Sequence, residues 1–321
     1  MGYAETIQIS TNGVWHDTAS VNVDGASVVA TGSWVRIARI HDEEWLDGPL
    51  AEPAHFVDEL QRHAATLAAD IFTYAQRLPE TTPRYDYPME CDSVAAIHIR
   101  SFDEWWTKLP QETRKNARRA QKRGVTLSIR PLDDDLVAGI VELNNEAPIR
   151  QGRRFPHYGK SVEQVRKDHA AFPDRSEFIC AHQGDELAGF AKVVYCRGFA
   201  TVLQLMSKAS KADARPANAI VVRAVERCHE RGVPYLVYGK YRYGRQASTT
   251  LMEFKARNGF EEVLLPRYYI PLTAKGAVSL RLKLHRRTTE LMPASALDLA
   301  RRIRGAWYRA TSAPASPVHP R

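Results

Sequence analysis

The apolar positions of this chain follow two rhythms, and they change over at definite places. Residues 1 to about 40 alternate apolar and polar, as in Ser20-Val21-Asn22-Val23 and Trp34-Val35-Arg36-Ile37-Ala38-Arg39-Ile40, with Gly13, Gly25 and Gly32 between the runs. That is hairpin or meander syntax. Ile40 to Trp45 then reads as an acidic, exposed link. Pro53 to Gln76 is predicted as one helix, because Phe56, Leu60, Ala64, Leu67, Ile71 and Ala75 recur at helical spacing. Pro79 and the Pro83–Pro88 segment stop it, and the aromatic stretch Arg84-Tyr85-Asp86-Tyr87 either packs across a sheet or binds something. Ala95–Ile99 is a short strand. Phe102–Gly124 is a helix pair capped by Ser101 and divided at Leu109-Pro110, proline being suited to a first helical turn. Val125–Arg130 is a strand and Asp133–Asn145 a helix. Arg150–Lys160 breaks all periodicity, and Ser161–Ala171 is helical again.

The stretch from Glu177 to Leu272 organises the rest. Two strands, Glu177–Ala181 and Leu187–Tyr195, flank the turn dipeptide Gly184-Asp185. Phe199–Met206 is the next strand, Asn218–Gly232 an amphipathic helix and Tyr235–Tyr238 a strand. Ser248–Asn258 is a short helix closed by Gly259, and Glu262–Leu265 and Tyr268–Leu272 finish the sheet. Strand, helix, strand, helix, strand is an α/β unit, since each strand and helix can bury the other's apolar face. The cleft is expected at Ser207–Asn218, where the central strand gives way to the helix. The expected organisation is an N-terminal β/α extension over residues 1–100, a core over 101–275 and a basic helical tail over 276–321, with the last dozen residues unstructured and no internal repeat.

Composition adds little to this: 321 residues, 44% hydrophobic and 26% charged, describe an ordinary globular protein. No run of 18 apolar residues exists and Met1–Thr6 lacks a basic-then-apolar start, so the expected location is the cytoplasm. Cys91, Cys180, Cys196 and Cys228 are widely spaced and form no Cys-x-x-Cys pair, which reads as reduced thiols, and no His/Asp/Glu spacing points to a metal. The net charge of +8 changes the picture more. It gathers at Arg114–Arg123, at Arg150–Arg154 and along Arg281–Arg309, and it calls for a polyanion: RNA, a phosphorylated cofactor such as coenzyme A, or an anionic lipid face.

Three stretches carry a resemblance. Pro110–Gly124 is a helix of Arg, Lys and Asn ending in Arg-Gly-Val. Arg215-Pro216-Ala217-Asn218-Ala219-Ile220 opens a helix containing Glu226 and followed by Gly232. Phe254-Lys255-x-x-Asn258-Gly259-Phe260 precedes the final strands. Together with the order of elements from Val125 to Leu272, these resemble the GNAT-like acyltransferases, and within them the Fem-type proteins. The resemblance implies a mixed central sheet flanked by helices, and transfer of an acyl or aminoacyl group from acyl-CoA or aminoacyl-tRNA to a small-molecule or peptide amine. It places Lys255 on the substrate, and Lys211, Arg215 and Asn218 on the donor. One departure leaves the donor open: the glycine-rich turn that holds a pyrophosphate in acetyl-CoA-dependent members is here Lys211-Ala212-Asp213-Ala214-Arg215-Pro216, without glycine and with a proline that removes an N–H.

Acyl transfer on such scaffolds rests mostly on positioning, so no triad is expected and none is present. Arg150, Arg153 and Arg154 suit carboxylate or phosphate recognition, and His157 and Tyr158 beside them can relay a proton. The alternative for that loop is a tie to acidic neighbours such as Glu146. Tyr238-Gly239-Lys240-Tyr241-Arg242-Tyr243 follows a strand expected to border the cleft, with Lys240 as an electrostatic clamp and Tyr243 as a general acid. A different reading of the whole chain is a catalytically silent module that binds RNA or another polyanion, with the basic tail in weak contact with a membrane surface.

Overall fold

The structure is a computed structural model and describes residues 5–11, 14–46, 50, 52–150, 153–242 and 250–286. It begins with four strands: β1 (Glu5–Thr11), β2 (Val14–Val23), β3 (Ala26–Thr31) and β4 (Ile37–Ile40). Helix α1 (Pro53–Leu67), β5 (Ile71–Ala75) and β6 (Met89–His98) follow. Next come α2 (Phe102–Lys108), α3 (Gln111–Lys122), β7 (Val125–Arg130), α4 (Asp134–Asn144) and a small pair, β8 (Ile149–Arg150) with β9 (Arg153–Arg154). The chain continues through α5 (Val162–His169), β10 (Ser176–Gln183), β11 (Glu186–Cys196), β12 (Phe199–Ser207), α6 (Pro216–Glu230), β13 (Tyr235–Lys240), α7 (Thr250–Arg257), β14 (Glu261–Pro271) and α8 (Ala274–Arg281).

Helix starts follow from their caps. Ser101 Oγ accepts from Glu104 N at 3.1 Å and Asp133 Oδ1 from Leu136 N at 2.8 Å. Ser161 and Gln164 form a reciprocal capping box.

Among the described residues, twelve strands form one sheet in the order β1-β2-β3-β4-β5-β14-β6-β13-β12-β11-β10-β7. That order contains the same plan twice. In the first half β1 to β4 are an antiparallel meander, and α1 carries the chain to β5, parallel to β4 from Ile37–Ile71 to Arg39–Thr73. In the second half β7, β10, β11 and β12 are antiparallel neighbours, and α6 carries the chain to β13, parallel to β12. The closing strands are exchanged: β6 pairs with β13, β14 with β5, and β6 and β14 with each other. The expectation of no internal repeat therefore fails at the level of topology, where residue identity carries no trace.

Strand alternation sorts the core onto two faces. Ile179 and Ala181 of β10 and Val193 of β11 pack under α2, α3 and α6, whereas Phe178, Cys180 and Phe190 pack under α4 and α5. In the first half α1 covers Val28, Ala38, Phe72 and Tyr74.

Three expectations are corrected here. The helix expected over Pro53–Gln76 ends at Leu67; Ala68 turns left-handed (φ 48) and Ile71–Ala75 is strand. Its aromatic and β-branched residues favour strand, and burial on both faces removes the alternation that would have marked it. The acidic link at 40–45 closes as a turn at Glu43–Trp45 with Trp45 only 5% exposed. Glu262–Leu265 and Tyr268–Leu272 are one strand. The Arg84–Tyr87 stretch packs: Tyr85 and Tyr87 lie edge-on to Tyr268. The expected tail helices beyond Arg286 lie outside the described residues.

Candidate active site

Strands β12 and β13 pair only at Ala200–Leu236 and Thr201–Val237, and then part. Irregularities in both strands accompany the gap. In β12 an extra residue, Leu203, falls between the pairs Val193–Val202 and Lys192–Gln204 with β11. In β13 the pairing with β6 jumps from Val237–Ala96 to Lys240–Val94, and Gly239 takes a positive φ of 54° that a side-chain-bearing residue adopts at a cost. A bulge bends its strand and releases backbone groups from the ladder. Lys255, on α7, fixes the second bulge: its Nζ donates to the carbonyls of Tyr238 at 2.6 Å and Lys240 at 2.7 Å and lies 4.4 Å from the centre of the Tyr238 ring. The side chain is fully buried, and that burial pushes its pKa down to about 8. A neutral amine still carries two N–H groups, so both carbonyls are served in either protonation state.

A cavity of about 390 Å³ adjoins the gap. Trp45, Phe199, Val237 and Leu265 line it with apolar surface, and Glu43, Asp92, Arg77, Arg267 and Lys240 supply charge. Arg267 Nη2 meets Glu43 at 3.0 Å, and its Nε meets Asp92 at 2.6 Å. Burial works against the guanidinium charge, but the two carboxylates more than offset it and hold the pKa above its ordinary value. Glu43 also accepts from Ala75 N at 2.6 Å. Two carboxylates, Glu43 and Asp92, thus share the cavity wall with Arg77, Arg267 and Lys240, so its charged groups are mixed rather than of one sign. Lys240 stands exposed at the rim.

The turn leading into α6 was the expected cleft, and it is filled. The Glu146 carboxylate accepts from the amides of Ala209 (2.7 Å) and Ser210 (2.9 Å) and from Ser210 Oγ (2.6 Å). The amides of Lys211, Ala212, Ala214 and Arg215 bond to carbonyls three residues back, and Pro216 has none. Most donors that would cradle a pyrophosphate are consumed by the chain itself.

The expected site residues fall into three groups. Lys240 and Lys255 meet at the β13 bulge, Lys240 on the cavity and Lys255 beneath it. Arg150 is tied down at the end of β12: its guanidinium donates to Leu143 O (2.7 Å), Ser207 O (3.3 Å) and Glu146 (3.2 Å) and stacks 4.4 Å over Phe155. Lys211 pairs with Glu186 at 2.7 Å, Arg215 is the left-handed residue heading α6, and Asn218 donates to Asn258 at 3.0 Å, joining α6 to α7. Away from the cavity lining, His157 faces Asp168 at 3.9 Å, with burial and Lys160 lowering its pKa, and Tyr158 and Arg154 are exposed. Arg153 contributes backbone to β9, and Tyr243 lies outside the described residues. Sequence reading missed Glu43, Asp92 and Arg267, which meet only through strand pairing between the halves. Gly239 was the one local signal of the gap.

Residues 108–255 match the family model for the acetyltransferase (GNAT) domain. The fold is GNAT-like. FemX in its crystal structure is similar with a TM-score of 0.54 at 12% identity, covering 87% of this chain and 90% of that one. L-PGS from Bacillus licheniformis is similar with a TM-score of 0.54 at 12% identity, over 84% and 90%. A conserved protein of unknown function from Bacteroides thetaiotaomicron gives 0.54 at 11%, over 79% and 86%. At such identities the likeness is one of fold. No curated protein matches the chain in sequence. Among the described residues no helix is long and apolar enough to cross a membrane, and no cluster of His, Cys, Asp or Glu could hold a metal.

Proposed function

We propose that this protein transfers an aminoacyl or other acyl group from an activated donor to an amine. The observation that carries the reading is the gap between β12 and β13, bulged on both sides and opening on a cavity whose wall holds the carboxylates of Glu43 and Asp92. The donor's carbonyl lies in the gap, against the backbone of β12 that the bulge at Leu203 takes out of register with β11. The amine sits over Asp92 and Glu43. Its lone pair attacks the carbonyl carbon, the bond to the leaving oxygen or sulfur breaks, and the proton lost by the nitrogen reaches the leaving group through Asp92. Positioning contributes most of the rate in such a scheme.

Two observations favour an aminoacyl-tRNA over acyl-CoA as donor. The amides that would hold a pyrophosphate at the head of α6 are mostly occupied. Beside that head runs α3, whose Lys115, Arg118 and Lys122 are exposed and whose following residue Arg123 lies 3.7 Å from Asp213 of the same turn. A basic ridge there suits a polyanion. The same ridge supports the silent-module reading, so the test separates them. Thermal stabilisation is measured with aminoacyl-tRNA, uncharged tRNA, acyl-CoA and free coenzyme A at two salt concentrations. The reading expects aminoacyl-tRNA to stabilise more than uncharged tRNA, and Asp92→Asn to lose turnover while keeping tRNA binding. Equal stabilisation by both tRNAs favours the module. Saturable stabilisation by acyl-CoA alone replaces the donor.

A further inference from the structure

We propose that the surface formed by Trp34 and α8 docks on an anionic lipid bilayer. It lies outside the cavity and does not depend on the transfer reading. Trp34 projects from the tight turn between β3 and β4 and is 62% exposed; Val278 and Leu282, three and seven residues beyond Lys275, are 53% and 63% exposed. Lys275 Nζ donates to the Trp34 carbonyl at 2.8 Å, so turn and helix form one surface. Isolated exposed apolar residues are ordinary, but a large indole beside a helix that presents aliphatic side chains to water marks a contact surface.

The helix cannot turn these residues inward. Thr273 caps it, accepting from Gly276 N at 3.0 Å, and Gly276 is pressed against the Asp70 backbone, where an added Cβ would lie 1.9 Å from the carbonyl oxygen. Ser279, on the same inward side, is 1% exposed. The outward side is therefore fixed toward solvent.

Charge identifies the partner. From Ala274 to Arg286 the chain holds Lys275, Arg281, Lys283 and Arg286 and no acidic residue. Lys275 is neutralised by Asp70 at 2.8 Å and Arg286 by Glu90 at 2.7 Å. Arg281 and Lys283 are exposed, flanking Leu282 on both sides. Aliphatic and indole side chains enter the interface between headgroups and acyl chains, and neighbouring cations are drawn to an anionic leaflet. A complementary protein surface would have to supply both an apolar hollow and two acids, whereas an anionic bilayer supplies both features everywhere. Docking would also set the height of the cavity above the membrane, because β14 carries Arg267 into the cavity and then runs through Pro271 into α8.

The test uses the full chain and co-sedimentation with vesicles of phosphatidylcholine alone or mixed with phosphatidylglycerol. The expected result is binding to the mixed vesicles, weakened about tenfold by either Trp34→Ala or Leu282→Glu. Arg281→Glu with Lys283→Glu should weaken it as much at low salt and little at high salt. These side chains are exposed, so the melting temperature should stay at the wild-type value. The proposal is overturned if the wild-type chain ignores mixed vesicles, or if Leu282→Glu sediments as the wild type does, which would leave charge elsewhere as the cause. It is also overturned if light scattering shows a dimer that Leu282→Glu dissociates, which would make the surface an interface between copies.

Discussion

Replacing Glu146 by alanine should both destabilise the protein and open an anion site. In the wild type the carboxylate is 17% exposed and accepts from Ala209 N, Ser210 N and Ser210 Oγ at 2.6–2.9 Å, with Arg150 at 3.2 Å. A hydrogen bond to a charged group is worth about 1.5–3 kcal/mol, but the amides freed here face solvent and recover part of that, so the expected loss is about 2–3 kcal/mol in total. Burial alone would raise the Glu146 pKa; the bonds from Ser210 and Ala209 outweigh it and hold the pKa below its ordinary 4.5. A carboxylate with a depressed folded-state pKa contributes stability that is present above its unfolded value and lost as pH falls through the folded one. Urea denaturation followed by fluorescence should therefore show the full difference at pH 7 and a shrinking one below pH 4.5. A double-mutant cycle with Ser210→Ala should give a coupling of about 1 kcal/mol. In the variant, inorganic pyrophosphate should stabilise the fold where it does nothing for the wild type. A loss below about 0.5 kcal/mol, or one independent of pH, would refute the view that this carboxylate occupies the turn.

Lys255→Met should lower turnover by unpinning the β13 bulge, and should weaken a pH effect. Because burial lowers the folded pKa from 10.5 to about 8, the unfolded chain holds the extra proton between those values, so Lys255 contributes about 3 kcal/mol to the rise of wild-type stability with pH there; buried Lys192, lowered likewise to about 8, contributes its own share, so the variant should keep a smaller rise, and urea midpoints at the two ends of the window check the difference. Arg267→Met leaves Glu43 and Asp92 facing each other in the cavity wall, and should cost about 2–4 kcal/mol, read from the same denaturation curves.

Much of the second half was legible because its signals are local. Gly184-Asp185 marks a hairpin, Ser101 and Asp133 mark helix starts, and Val125–Arg130 or the α6 segment carries enough periodicity to be read without its neighbours. The first half was harder to read at one place for a physical reason: Ile71–Ala75 is buried on both faces, so it lacks the polar alternation that distinguishes a strand from a helix. The site was less legible than the fold. Arg150 stood out as a cation in an aperiodic loop and Lys255 only through the family resemblance; Lys255 is spent on backbone carbonyls, and Arg150 on backbone carbonyls and Glu146. The cavity's carboxylates come from Glu43 and Asp92, and the guanidinium between them lies 224 residues from Glu43. No window of sequence holds that cluster.

The duplicated plan explains why the cavity sits where it does. In the first half the parallel pairing of β4 and β5 also ends, at Arg39–Thr73, and the chain could part there as β12 and β13 do. The Glu43–Trp45 turn fills that position: the Glu43 carboxylate binds the Ala75 amide, and Trp45 is buried against Phe172 at 5.4 Å between ring centres. On the other side Tyr74 packs on Tyr268 at 5.2 Å. So the first half has closed its own gap, and the turn that closes it presents Glu43 to the gap of the second. The exchange of β6 and β14 makes this possible, because it brings Asp92 and Arg267 onto adjacent strands between the two gaps. A single half would hold a splayed strand pair without the Glu43–Arg267–Asp92 cluster beside it.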